Sequence, residues 1–346
     1  MSASSFLCIS KNLLIIHYSL KNMGAVLENT TVKGKANLEV FSSTLQELAA
    51  VDKDIIVVTS DSRGSGKLVP FGQKFPKQIV EIGIAEQNLV GVAAGLASAG
   101  KKTFAVSPAC FLTARALEQI KNDVAYSDNP VKLIGISAGV SYGALGSTHH
   151  SLHDYAVLRA INNITIVAPA DNYETAEAVK LAAAMEKPVY LRFGKKNMPD
   201  LDARKNSPFQ FGKGRIIREG NDLAFIAAGE TVYPALKAAE KLMEEHNLYA
   251  TVISMHTIKP LDYELLVAAA NTCKAIITVE EHSVYGGLGE ACASYLLQKG
   301  IIKPFKIVGI PDEYTVTGSQ VEIFNHYGIS ESGLADTALE LISKII

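Results

Sequence analysis

The sequence predicts an α/β protein made of two doubly wound domains, each with a mainly parallel sheet. Short apolar runs rich in β-branched residues, such as residues 55–58, alternate with segments of helical apolar spacing, such as residues 38–50. Continuous apolar strands are typical of parallel sheets that helices cover on both faces. A chain of 346 residues is long enough for about two domains. The polar stretch 197–213 is predicted to be the linker between them.

The predicted elements follow a strand–helix alternation in each domain. In the first domain, residues 35–196, the predicted strands are 55–58, 78–80, 103–106, 131–136, 164–168 and 189–192. The predicted helices are 38–50, one that starts at 85, and then 113–126, 152–160 and 172–185. In the second domain, residues 214–346, the predicted strands are 223–227, 250–254, 275–279 and 306–308. The predicted helices are 233–246, 263–271, 289–299 and 333–345.

Residues 1–34 are treated as a tail of uncertain order. Residues 6–20 are apolar but are interrupted by polar side chains and are not preceded by a basic residue. This segment is too short to span a bilayer and makes a poor signal peptide. Met23, which precedes a turn-like stretch, is an alternative start of the chain.

Charge and cysteine content exclude several classes of protein. The formal net charge of −2 leaves no basic excess for binding nucleic acid through its phosphates. Cys8, Cys110, Cys273 and Cys292 are scattered without a C-x-x-C pair, which argues against a disulfide framework or a zinc site. Reduced thiols are typical of a cytoplasmic protein.

Two polar, glycine-containing loops follow predicted strands, at residues 60–67 and 138–150. Ligands of open parallel sheets bind beyond the carboxyl ends of the strands, so both loops are candidates for a binding site. The first loop, S-D-S-R-G-S-G-K, lacks the spacing of a phosphate-binding P-loop. An ordinary surface loop explains it about as well.

Glu86 stands at the head of a small, apolar helix within residues 81–100. A carboxyl group in such a setting is costly to ionise and could donate a proton or a hydrogen bond. The alternative is that Glu86 sits in the first helical turn and is stabilised by the helix dipole. Gly91, Gly95 and Ala99 recur at a spacing of four, which allows another backbone to approach this face closely.

Four ordered segments resemble the transketolase family and related thiamine-diphosphate enzymes. Residues 81–95 look like the pyrimidine-binding segment, and G-A-L-G-S-T-H-H at 143–150 is similar to the histidine loop. Residues 162–171 and the run V-E-E-H-S-V-Y-G-G-L-G at 279–289 resemble two later segments. The likeness covers about residue 35 to the end, and implies a pyrimidine-binding domain followed by a transketolase C-terminal domain.

The resemblance implies that thiamine diphosphate is the cofactor and that Glu86 is its acid partner. A carboxylic acid that is hydrogen-bonded to the far nitrogen of the pyrimidine favours the imino form, which takes the thiazolium proton. Phe111 falls where the family places an aromatic ring against the pyrimidine, although an ordinary core phenylalanine is the alternative. Asp61 and Ile84 are the other implied cofactor contacts.

Of the histidines, His149 matches the one that contacts the sugar hydroxyl beside the reacting carbonyl. A neutral imidazole can donate or accept there as charge develops on oxygen. His150 and His153 stand where the family more often has glutamine and an acid, so their roles stay open. His282, in the second domain, is interpreted as structural or interfacial.

Half of the usual enzyme is missing from this sequence. The G-D-G…N motif, through which full-length members hold the diphosphate and Mg²⁺, does not occur here. The chain therefore resembles the C-terminal half of a split transketolase, with no metal site of its own. The partner would be the N-terminal subunit, in an α2β2 heterotetramer, and the face of the Glu86 helix would pack between subunits.

The positions that read the substrate depart from the family. Leu145 replaces an acid that recognises a sugar hydroxyl, Leu38 a phosphate-binding arginine, and Ser137 a histidine. Lys195 and Ser65 remain as partners for a substrate anion. An unpaired hydroxyl in a dry site costs about 1–3 kcal/mol. We therefore expect a non-standard ketose, branched or sulfonated, in place of the common pentose phosphates.

Three alternatives use the same architecture. The C-terminal run also resembles 1-deoxyxylulose-5-phosphate synthase, and the β subunits of 2-oxoacid dehydrogenases share the fold. The Thr148–His149 pair and the split length favour transketolase over the synthase. A non-catalytic regulatory subunit is the third alternative, against which the costly acid at Glu86 argues.

Overall fold

Two sheets with helices on both faces form the body of the protein in the computed structural model. The structure describes residues 33–201 and 208–345. Residues 1–32 of the predicted tail 1–34, including the alternative start at Met23, lie outside the described residues. The predicted fold class, two α/β domains with mostly parallel sheets, is confirmed.

The first sheet has seven strands in the order β12-β6-β7-β5-β4-β2-β3, all parallel except β12. Its central strands are fully buried because helices cover both faces. The strands are β2 (Ile55–Thr59), β3 (Ile79–Glu81), β4 (Lys102–Pro108), β5 (Lys132–Ile136), β6 (Thr165–Val167), β7 (Val189–Phe193) and β12 (Thr257–Lys259). The helices that cover it are α1 (Asn37–Val51), α2 (Val69–Lys74), α3 (Glu86–Ser98), α4 (Ala109–Arg115), α5 (Leu117–Gln119), α6 (Asp154–Arg159) and α7 (Asn172–Ala184).

The second sheet has five strands in the order β14-β13-β10-β11-β9, with only the edge strand β9 antiparallel. Side-chain caps define several helix starts: Asp262 accepts from the backbone N–H of Leu265, and Ser319 forms a capping box with Glu322. The strands are β9 (Arg215–Arg218), β10 (Leu223–Ala227), β11 (Ala250–Ser254), β13 (Ala275–Ser283) and β14 (Phe305–Ile310). The helices are α8 (Val232–His246), α9 (Tyr263–Thr272), α10 (Leu288–Gln298), α11 (Gln320–His326) and α12 (Glu331–Ser343).

Several elements differ from those that the sequence predicts. A small antiparallel pair joins β1 (Lys33–Ala36), which begins inside the predicted tail, to β8 (Asn197–Pro199), which lies inside the predicted linker. The single helix predicted over 113–126 is instead α4, α5 and a π-helical turn, Ile120–Tyr126. The helix break matters because α4 carries Phe111 and Arg115, two side chains of the candidate active site. The strands β9 and β12 and the helices α2 and α11 were not predicted.

Strand β12 comes from the second half of the chain but pairs with β6 of the first sheet. A buried arginine strengthens the same junction. Arg192 Nε donates to Asp154 Oδ2 at 2.7 Å, and its Nη2 donates to the backbone oxygen of Glu281 at 2.7 Å. Since Glu281 belongs to β13, the two halves share both a sheet edge and a buried charge cluster.

A pair of buried carboxyl groups also lies at this junction. Gln320 Nε2 donates to Glu230 Oε2 at 2.6 Å and to Glu281 Oε1 at 2.7 Å. Burial, followed by the nearby Glu230 carboxylate, raises the pKa of Glu281 to about 8, and burial raises the pKa of Glu230. The backbone at Gly194 approaches so closely that a Cβ there would clash with Glu230.

We expect Glu230→Gln to raise the stability of the protein relative to wild type, and to raise it more at pH 8 than at pH 5. In the folded chain the raised pKa values let Glu230 and Glu281 keep their protons. In the unfolded chain a glutamate releases its proton above a pKa of about 4.5. Wild-type stability therefore falls as the pH rises through this window. Removing one acid should relieve about 1–2 kcal/mol of that loss. Thermal midpoints of both proteins across pH 5–8.5 measure it.

The matched control for this prediction is Glu177→Gln, since Glu177 pairs with Lys180 near the surface. An exposed ion pair contributes little, so the control should not change the pH dependence. A stability difference between Glu230→Gln and wild type that is the same at every pH would contradict the prediction.

Three remaining expectations concern cysteines, membranes and metals. Cys110, Cys273 and Cys292 are buried and form no disulfide, while Cys8 lies outside the described residues. Across residues 33–201 and 208–345, no helix has the length and apolar character needed to cross a membrane. The same residues contain no group of three or more His, Cys, Asp or Glu side chains arranged to hold a metal ion.

Candidate active site

Glu86 is the first residue of α3, and its side chain is only 3% exposed. The chain enters this helix through a turn in which Gly83 has a φ of +79°, a conformation that suits glycine. Glu86 is thus both at a helix N-terminus and buried. The structure fits the predicted dry acid better than a surface acid in the first turn.

Arg115, the last residue of α4, contacts this carboxylate directly. Its Nη1 donates to Glu86 Oε1 at 3.1 Å and to Oε2 at 3.0 Å. The Arg115 side chain is 49% exposed, so it reaches from the surface over the buried acid. A charge-assisted contact to both oxygens fixes the orientation of the carboxyl group.

Three rings form a row that begins beside Arg115. The Arg115 guanidinium lies 4.3 Å from the centroid of the Phe111 ring. The His149 ring meets Phe111 edge-on at 5.3 Å, and meets Tyr142 edge-on at 5.2 Å. We call Phe111, His149 and Tyr142 the ring row. It connects the predicted acid to the predicted sugar-reading histidine.

The row continues to a lysine. Lys195 Nζ lies 3.8 Å from the centroid of the Tyr142 ring. Burial lowers the pKa of Lys195, and the charge of Lys67 lowers it further. Lys67 itself pairs with Glu39 at 3.5 Å, so Lys195 is the lysine that contacts the row, and its ammonium group suits an anion such as a phosphate.

The four histidines that the sequence singles out have different surroundings. His149 Nδ1 lies 2.9 Å from Thr148 Oγ1. His150 is buried, with Nε2 2.9 Å from the backbone oxygen of Gly143, and burial lowers its pKa. His153 Nε2 lies 3.2 Å from Thr113 Oγ1. His282 is fully buried and stacks on Tyr155, as a structural residue would. Of these four, His149 is the histidine in the ring row.

The other predicted substrate contacts differ in burial. Leu145 is 55% exposed, in the same loop as His149. Ser137 is fully buried at a φ of +53°, and its hydroxyl has no hydrogen-bond partner among the described residues. Ser65 Oγ donates to the backbone oxygen of Ser62 at 3.2 Å, within the loop that follows β2. Leu38, where the family has an arginine, is buried in the core.

Glu81 links the two remaining predicted cofactor contacts. Its Oε1 accepts from the backbone N–H of Asp61 at 2.6 Å and from that of Gly83 at 3.2 Å. Asp61 has a φ of +51°, and Ile84 is 74% exposed. The carboxylate therefore holds the Asp61 loop against the turn that leads into α3, with the Ile84 side chain projecting from the surface.

Gly91 and Gly95 of α3 have open space beside them. A Cβ built at either position would meet no atom of the described residues within 4 Å. These two glycines therefore do not serve a close contact with the described residues. This face remains available for close approach by another backbone.

The cleft between the two halves of the chain is a separate feature. It encloses about 340 Å³ and is lined by residues of β8, α8, α11 and α12, including Lys196, Glu230 and Gln320. None of its lining residues is a predicted site residue. The site is instead the open surface along Glu86, the ring row and Lys195.

Sequence reasoning missed Arg115, Tyr142, Glu81 and Lys67. Arg115 had a usable signal, because it follows Phe111 by four residues and the two share a helix face. Glu81 precedes a glycine turn, where a carboxylate can accept backbone N–H groups. Tyr142 and Lys67 lie in irregular loops, where no periodicity gives the direction of a side chain.

The two halves match two family models. Residues 33–200 match "Transketolase, pyrimidine binding domain". Residues 212–334 match "Transketolase, C-terminal domain". The first match contains every side chain of the site described above, from Glu86 to Lys195.

Relatives and solved structures give the same picture. The chain is 49% identical to one of the subunits of apulose-4-phosphate transketolase of Phocaeicola vulgatus, over 88% of this chain and 96% of that protein. It is 33% identical to "1-deoxy-D-xylulose-5-phosphate synthase" of Caldanaerobacter subterraneus, over 87% of this chain but only 48% of that protein. The solved "Split gene transketolase, inactive beta4 tetramer" superposes with a TM-score of 0.80 at 35% identity, covering 90% of this chain and 99% of that one.

Proposed function

This chain belongs to the transketolase family, and from that membership we propose that it is one subunit of a split transketolase. The enzyme would transfer a two-carbon ketol unit from a ketose phosphate to an aldose phosphate. The observation that carries the proposal is the buried Glu86 carboxyl group, which is connected through Arg115 to the ring row. A regulatory subunit without catalysis would have no use for this costly arrangement.

The residues present fit the pyrimidine of thiamine diphosphate. Glu86 supplies a buried carboxyl group, and Phe111 supplies a partly buried ring one helix turn from Arg115. Asp61 and Ile84 would border the same group from the turn that Glu81 holds. When bound, thiamine diphosphate supplies the carbanion that adds to the ketose carbonyl.

The chain's own residues would prepare and steer that chemistry. Glu86 would hydrogen-bond to the ring nitrogen of the pyrimidine, with Arg115 fixing the carboxyl group in one orientation. His149 would exchange a hydrogen bond with the substrate hydroxyl as charge develops on the neighbouring oxygen. The apolar residues of α3 behind Glu86 exclude water from the acid.

The N-terminal subunit would hold the diphosphate and Mg²⁺ and complete the active site. Two observations support a partner. The solved relative is described as an inactive β4 tetramer of a split-gene transketolase, and the relative from P. vulgatus is named as a single subunit of its enzyme. The open face of α3 at Gly91 and Gly95 offers a surface for close packing, and α2β2 is the proposed assembly.

The substrate would be a phosphorylated ketose outside the common pentose-phosphate pair. Lys195, which lies on the Tyr142 ring, would be the main anion partner, and Ser65 would be a second one. Leu145 offers an exposed apolar surface where a hydroxyl would need a polar partner. A ketose 4-phosphate, of the kind that the P. vulgatus relative is named for, meets both conditions.

A substrate panel with the assembled complex tests this function. We expect ketol transfer from apulose 4-phosphate to an aldose phosphate, and no CO₂ release from pyruvate. CO₂ release with a triose phosphate would support the synthase alternative, which the synthase relative represents. A complex that binds no cofactor would support a regulatory subunit. If xylulose 5-phosphate and ribose 5-phosphate were the best pair by far, the unusual-ketose part would be wrong.

A further inference from the structure

The Tyr142 ring contacts both ends of the proposed substrate site. It meets the His149 ring edge-on at 5.2 Å, and Lys195 Nζ lies 3.8 Å from its centroid. The distance from the His149 ring centroid to the ammonium group therefore cannot exceed the sum of these two values. One side chain thus contacts both the sugar-reading group and the anion-binding group.

The loop that carries Tyr142 is fixed in place by its neighbours. Gly143 has a φ of +53°, and a Cβ there would come within 2.6 Å of the backbone oxygen of Gly318. Gly146, at the other end of the loop, packs against Thr317. The ring is therefore a wall of the site that does not move easily.

We propose that Tyr142 is a specificity-determining residue that limits the length of the ketose, so that a phosphate on carbon 4 is favoured over a phosphate on carbon 5. The inference rests on the proposed function. A chain that is one carbon longer moves the phosphate by about 1.5 Å, the length of a carbon–carbon bond. Because Tyr142 contacts both His149 and Lys195, its ring would set the spacing between the sugar-reading group and the anion-binding group, and this spacing would match the shorter chain.

The charges of the site agree with this role. Lys195 places an ammonium group on the Tyr142 ring, where a phosphate dianion would find a cationic partner. Because Lys195 packs on the ring itself, removing the ring releases the lysine and opens the space in front of it. A longer phosphorylated ketose should then fit, while the shorter one loses its close ammonium contact.

The test compares Tyr142→Ala and Tyr142→Phe in the assembled complex. The measured quantity is the ratio of kcat/KM for apulose 4-phosphate to kcat/KM for xylulose 5-phosphate. We expect Tyr142→Ala to lower this ratio at least about tenfold, the range that one methylene group gives in a binding pocket. Tyr142→Phe keeps the ring and should keep the ratio. A ratio does not depend on the fraction of folded enzyme, so partial misfolding cannot produce the result.

Two controls separate this inference from the proposed function. Calorimetric titration with thiamine diphosphate should give the same affinity for Tyr142→Ala as for wild type, because Tyr142 lies beyond His149 from Phe111. If the wild-type complex used neither ketose phosphate, the proposed function would fail. If it used apulose 4-phosphate and Tyr142→Ala left the ratio unchanged, only the role of Tyr142 would be refuted.

Discussion

Glu86→Gln is expected to lower kcat of the assembled enzyme by ~10²–10⁴-fold, the usual contribution of a positioned acid or base. Glutamine has the same shape, and its amide oxygen can still accept a hydrogen bond from Arg115 Nη1. It cannot give a proton to a ring nitrogen. The loss should therefore appear in turnover, while the fold and the contact with the partner remain.

The measurements for this prediction are steady-state kinetics, circular dichroism and size-exclusion chromatography with the partner. Glu118→Gln is the matched control, since Glu118 is an exposed acid three residues beyond Arg115. It should retain wild-type turnover. Near-normal activity of Glu86→Gln would remove Glu86 from the catalytic role, whatever the outcome of the substrate panel.

The purified chain is expected to show no ketol transfer with thiamine diphosphate and Mg²⁺, and to gain activity when the N-terminal subunit is added. The prediction follows from the proposal that the diphosphate is held by the other polypeptide. Turnover of a ketose phosphate by the purified chain alone would refute the split-enzyme proposal.

A double substitution on α3 sharpens the same prediction. Gly91→Leu with Gly95→Leu should leave the chain folded, because a Cβ at either position meets open space. The added side chains should block close approach of a partner backbone, so assembly and activity should both fall. Glu244→Leu places a similar side chain on the exposed surface of α8 and should leave both unchanged. Full activity of the double variant would place the subunit contact elsewhere.

The fold class and the central site residues could both be predicted from the sequence, but for different physical reasons. The strands β2, β5 and β10 are apolar runs bounded by turns, and such runs report burial directly. Glu86, Phe111 and His149 lie in ordered motifs. In the structure Phe111 and His149 belong to the ring row, and Glu86 is connected to it through Arg115. Their catalytic and binding roles stay predictions.

The elements that were missed depend on contacts distant in sequence. Strand β12 has only three residues and becomes a strand because the edge of β6 is there to pair with. Arg115 is an ordinary helix-end arginine until the fold brings Glu86 beneath it. The position of Tyr142 depends on Gly318, which lies far along the chain and packs against the Tyr142 loop.

The pairing of β12 with β6 has a consequence for how this protein can be divided. Two sequence families suggest two modules that could be expressed separately, with a cut near residue 205. Such a cut would strip β6 of its outer neighbour and leave a row of unpaired backbone N–H and C=O groups at the sheet edge. An N-terminal fragment would offer that edge to other copies of itself. The two domains are therefore separate in sequence but share a sheet in the fold.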